Sequence, residues 1–160
     1  MLDNTNLRDL IRRWRATPES TAALFGEASD AIRATAATKE RVLYPAVREA
    51  DPSRAGLVDS VIAQNRRIEG FLSVAERLGP HGIGFQDEAQ EAAAATDGLL
   101  VHERRDILPA LDRLSPEERE RLDDDYRTAW VDVSTKLAAT RATRDPRGNT
   151  GTPGTADASH

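Results

Sequence analysis

Two segments of this chain repeat one pattern. The first reads Thr38-Lys39-Glu40-Arg41-Val42-Leu43-Tyr44-Pro45-Ala46-Val47, and the second His102-Glu103-Arg104-Arg105-Asp106-Ile107-Leu108-Pro109-Ala110-Leu111. Each is a charged helical turn that runs into apolar residues, then Pro, then two more apolar residues. A Pro within a helical pattern removes one backbone hydrogen bond and crowds the carbonyl four residues back, so each helix should kink or loosen at the same relative place. A second echo accompanies the first: Asn4, Leu7, Leu10 and Ile11 share their spacing with Asn65, Ile68, Phe71 and Leu72. One helix pair thus resembles the next. Two similar helical hairpins packed together make an all-α, up-down-up-down four-helix bundle.

Helix starts are well marked. A first helix covers 5–16, with Asp3 or Asn4 as its cap. Thr17-Pro18 opens the second, because Thr caps and Pro suits a first helical position whose N–H would be unpaired anyway. Its apolar and small residues keep a helical period up to Pro45. Asp51-Pro52 repeats that logic for a helix over 52–78, and 79–84 form a loop. A fourth helix covers 86–112. Ser115-Pro116-Glu117-Glu118 is a capping box that opens an additional C-terminal helix to about residue 138. The bundle is therefore assigned to residues 1–138. Residues 139–160 are assigned to a disordered tail, since the chain from Thr140 onward holds almost nothing apolar to offset its ordering entropy.

Composition narrows the function. A chain of 160 residues suits one domain with a real core. The net charge of −5, with no basic stripe interleaved with aromatics, argues against a nucleic-acid surface. No apolar run approaches a membrane span, and cytoplasmic location is the default. Without cysteine there is no disulfide, thiolate or Cys-ligated metal.

The two Pro-containing segments resemble those of the hemerythrin-like (HHE cation-binding) family, over roughly residues 3–138. The tail from Leu137 is similar to a worn version of the Pro-rich tail on bacterial members. The resemblance implies a di-iron four-helix bundle. In that family, helices one and three each begin a His-x-x-apolar-x-x-apolar-apolar run, and those positions here are Asn4 and Asn65. Helices two and four each supply His-x-x-x-Glu, and here the pairs are Thr35/Lys39 and Leu99/Glu103. Of these six places only Glu103 keeps a ligand type. A non-haem di-iron centre needs several imidazoles plus bridging carboxylates. The chain has only His81, His102 and His160, and His102 points roughly 100° away from Glu103 around the helix. The family's positions for Lys39 and Glu103 carry the bridging carboxylates. These two side chains should therefore meet in the core, within about 4 Å, as an ion pair where the metals would stand.

The other candidates have plain readings. Asn4 serves as an N-cap, Asn65 is a hydrogen-bonded inward residue, and Thr35 and Leu99 fill the core. His102 with Asp106 is a solvated helix pair, and Asp123-Asp124-Asp125 a solvated helix face. Trp14 is core, and Trp130 pins the last helix. Three functions follow. The first is a non-catalytic module that has lost its di-iron site and needs no cofactor, binding an unknown protein or a second copy but neither nucleic acid nor membrane. The second is a cation or iron protein for oxygen, nitric oxide or redox handling, using an unconventional carboxylate site at Glu40 and Glu103. The third is a small-molecule binder that uses the vacated bundle cavity.

Overall fold

The structure, a computed structural model, describes residues 4–144. Helix α1 spans Thr5–Trp14 and α2 spans Pro18–Thr38. A π-helical turn over Lys39–Leu43 joins α2 to α3, Tyr44–Ala50. A short 3-10 turn at Pro52–Arg54 leads into α4, Ala55–Leu78. Helix α5, Phe85–His102, passes through a second π-helical turn, Glu103–Ile107, into a 3-10 segment over Leu108–Arg113. Helix α6 spans Pro116–Arg144. No strand occurs among the described residues, and none of their helices is long and apolar enough to cross a membrane.

Both π turns sit just ahead of a Pro. Pro45 and Pro109 carry no N–H, and the preceding amides of Tyr44 and Leu108 reach one residue further back, to the carbonyls of Lys39 and Glu103. The expected loosening thus takes the form of one wide turn in each helix. Such turns are rare and recur at functional sites.

Capping follows the sequence signals at two of four sites. Thr17 Oγ1 accepts the Ser20 N–H at 3.0 Å. At the capping box, Glu118 N–H donates to Ser115 Oγ at 3.1 Å and Ser115 N–H donates to Glu118 Oε2 at 2.7 Å. Asn4 does occupy the N-cap position of α1, but its side chain makes no cap bond there; its carbonyl accepts Arg8 N–H. Asp51 is turned inward and accepts from Ser53 Oγ and Arg54 Nε. Asp3 lies outside the described residues. Between α4 and α5 the chain turns so tightly that a Cβ on Gly82 would stand 2.2 Å from the Leu78 carbonyl oxygen.

One core joins the helices. Trp14 is fully buried as expected. Its Nε1–H donates to the Thr21 carbonyl, and Thr21 Oγ1 donates to the Trp14 carbonyl, each at 2.9 Å. These bonds fold α1 back onto α2. Phe25 then packs between Trp14 and Phe85, edge-on to the latter at 5.2 Å between centroids. Helices α4 and α5 make the most extensive pairing, and α6 lies against α2 and the first π turn.

Helix α6 runs beyond the expected end near residue 138. It continues through Arg144, so residues 139–144 are helical; the remainder of the assigned tail lies outside the described residues. Ala138, Ala139, Arg141 and Ala142 are strong helix formers, and Arg141 is bound to Asp30 at 2.8 Å. Trp130 is 36 % exposed, and the residue that α6 buries is its neighbour Ala129. Asp124 and Asp125 are exposed, in keeping with a solvated face.

The Thr17 cap supports the α1–α2 corner where Trp14 is anchored. Thr17→Ala should lower stability by about 1 kcal/mol in urea unfolding, with unchanged helical circular dichroism.

Candidate functional site

The mapped positions converge in the core. Thr35, Lys39, Asn65 and Leu99 line one small apolar gap of about 10 Å³, together with Leu7 and Thr96. Glu103 joins them through Lys39. Lys39 Nζ lies 2.6 Å from Glu103 Oε2, with the Lys side chain 2 % exposed and the Glu side chain 0 % exposed. Asn4, at the start of α1, is the one mapped position that neither lines this gap nor bonds to the pair.

Glu103 is held at both oxygens. Tyr44 Oη donates to Oε1 at 2.5 Å, and Asn65 Nδ2 in turn donates to Tyr44 Oη at 3.2 Å. A carboxylate out of water needs its charge balanced and its lone pairs satisfied. Lys39 supplies the charge, and Tyr44 the second hydrogen bond. The network Lys39–Glu103–Tyr44–Asn65 ties the first π turn, α3, α4 and the second π turn to one point.

Tyr44 is absent from the sequence-derived site, and the first π turn explains why. Residues five apart on an α-helix point roughly 140° away from each other. The wide turn between Lys39 and Tyr44 brings both onto Glu103. A Pro placed one residue after Tyr44 was the available signal, since it marks where the α-helical bonding must fail. Tyr126 on α6 was also missed. Its phenol is held well above the usual range, first by burial and then by the negative charge of Glu103. Burial likewise pushes the Tyr44 phenol up, with the Glu103 charge and hydrogen bond adding to it and the Asn65 hydrogen bond opposing.

The remaining candidates are engaged elsewhere. Glu40 reaches the surface and pairs with Arg66 at 3.2 Å. The carboxylates of Glu40 and Glu103 thus each carry a cationic partner already. His102 Nε2 lies 3.3 Å from Asp106, and Nδ1 lies 2.9 Å from Gln64 Nε2. Both ring nitrogens are used, and the pair is half-buried where full solvation was expected. Among the described residues no three His, Asp or Glu side chains are grouped to hold a metal ion. The donor set at the mapped positions does not fit a di-iron centre: one carboxylate, no imidazole, and an ammonium in contact with that carboxylate. The core gap is also too small for an organic ligand, being close to the lower limit for one water molecule.

Comparison of the chain with family models, with curated proteins and with solved structures gives no match.

Two outcomes test this geometry. Lys39→Met should cost about 3–5 kcal/mol in urea unfolding, because it leaves Glu103 buried and unpaired. Lys39→Met with Glu103→Gln should recover part of that loss, with a coupling energy above about 1 kcal/mol; a single variant as stable as the parent would show that the pair is not needed.

Tyr44 and Tyr126 are the only two tyrosines. Their folded-state phenols titrate above the unfolded value near 10. The folded state therefore keeps protons that the unfolded chain loses, and stability contributed by these groups is complete below about pH 10 and declines above it. Absorbance near 295 nm should show no tyrosinate in the folded protein at about pH 10–11, and should rise only together with loss of helix.

Proposed function

We propose that the chain is a hemerythrin-like four-helix bundle, extended by α6, in which an internal ion pair occupies the place of the metal centre. It acts as a non-catalytic binding or regulatory module. One observation carries this reading. Lys39 and Glu103, the positions where the resemblance puts the two bridging carboxylates, form a fully buried contact at 2.6 Å. The convergence of Thr35, Asn65 and Leu99 on the same gap supports the mapping, since those residues were assigned to ligand positions on three different helices.

The chemistry of the replacement is self-contained. An ammonium opposite the surviving carboxylate balances its charge, so the core no longer requires a bound cation for neutrality. The residues that a redox or oxygen-binding centre would need are replaced by Asn, Thr, Lys and Leu. Function then rests on the surface, and its partner is a protein or a second copy of the chain.

Metal analysis with a visible spectrum tests the proposal, on protein expressed with added iron. The preparation should be colourless and hold less than about one tenth of an equivalent of iron, because the imidazole donors are missing. Two equivalents of iron with the absorption of an oxo-bridged pair would overturn it in favour of the cation-binding alternative.

A further inference from the structure

Helix α6 is attached in two different ways along its length. Its first half is packed: Leu122 lies against the core, Tyr126 is half-buried near Glu103, and Ala129 is fully covered. From Trp130 onward no residue of α6 is buried, and Val131 is mostly exposed. That second half packs through Val133 and Leu137, both only half-buried, and is clamped by charge. Asp132 meets Arg41 at 2.5 Å, Arg141 meets Asp30 at 2.8 Å, and Arg144 stands 3.9 Å from Glu76. Arg141 also donates to the Gly26 carbonyl at 3.0 Å, lying so close over α2 that a Cβ on Gly26 would be 3.3 Å from its guanidinium.

Beneath this half of α6 runs a groove of about 700 Å³ between α2 and α4. Its floor includes Phe25, Ile32, Ile68 and Leu72, and Leu137 of α6 forms part of its wall. Further ion pairs span the groove, Arg33 of α2 to Glu69 and Glu76 of α4, and Glu40 of the first π turn to Arg66 of α4. Its rim charges are thus paired among themselves, and the groove offers no unmatched charge to select a ligand.

We infer that residues 130–144 form a displaceable strap, clasped over the α2–α4 groove by ion pairs and released as those pairs are screened, while residues 116–129 stay docked. Exposed ion pairs contribute little individually and weaken with salt. Apolar packing such as that of Leu122 and Ala129 does not weaken with sodium chloride. The helix is therefore built to open from its C-terminal end, and opening removes the Leu137 wall from the groove. Helices that open sub-globally are drawn from regions with few buried apolar contacts, which is the case here.

Hydrogen exchange read by mass spectrometry on the full chain tests this, at about 20 mM and about 1 M sodium chloride and one pH, since the screening length falls to about 3 Å at the higher salt. Peptides within 130–144 should be protected at low salt and lose that protection about tenfold or more at high salt, with peptides from 116–129 and α5 changing less than about twofold. Arg141→Gln, at an exposed position outside the core, should show the weakened protection already at low salt. The inference is overturned if 130–144 is unprotected at both salts, if its protection is independent of salt, or if 116–129 opens together with it.

Discussion

A positive and a negative charge sit together in a core otherwise closed to water, and the arrangement around them follows from that. Lys39 and Glu103 come from two different helical segments, each within its own π turn. Taking two charges out of water costs more than their attraction readily returns, so the pair is tolerated only with good geometry and satisfied remaining lone pairs. Tyr44 and Asn65 provide that satisfaction. Such a pair need not make a fold more stable than apolar residues of the same size would. A rotation of either helical segment that separates Lys39 from Glu103 would leave a buried charge without its partner, which is the costly case.

The fold was legible where local chemistry decides local structure. Thr17-Pro18 and the Ser115–Glu118 box start helices as their side chains dictate. The meeting of Lys39 with Glu103 could be anticipated only from the resemblance, which assigns these two positions to facing carboxylates, with the inward helical stripe of each in support. Tyr44 could not, since its direction depends on a turn that is not α-helical. Tyr126 could not either, because nothing in α6 alone says which of its faces lies near Glu103. The end of α6 was misread for a related reason: its last turns bury nothing, so an apolar count sees no element there, while Ala and Arg content and pairing to Asp30 sustain a helix. Asn4 and Asp51 both stand where a cap belongs, yet neither side chain caps its helix.

Two kinds of cohesion are spatially divided in this protein. Around Trp14, Phe25 and Phe85 the helices meet through apolar and aromatic contacts that salt leaves intact. Across the α2–α4 face they meet through Arg33, Arg66 and their acidic partners. Mesophilic surfaces carry many such pairs with little net effect. Here they bridge separate helices beside a groove, so the same interactions hold one side of the molecule more loosely than the other.

The first π turn also bears on how such a core is compared between chains. Lys39 and Tyr44 are five residues apart and yet serve the same carboxylate. On an ordinary α-helix, side chains four apart differ in direction by only about 40°. A chain lacking one residue between these two positions would present the same two side chains together from an uninterrupted helix. The wide turn therefore absorbs a one-residue difference in length without moving the chemistry. Matching by fixed spacing along the sequence would place the tyrosine on the wrong side of the helix, whereas matching by distance from Pro45 would align it.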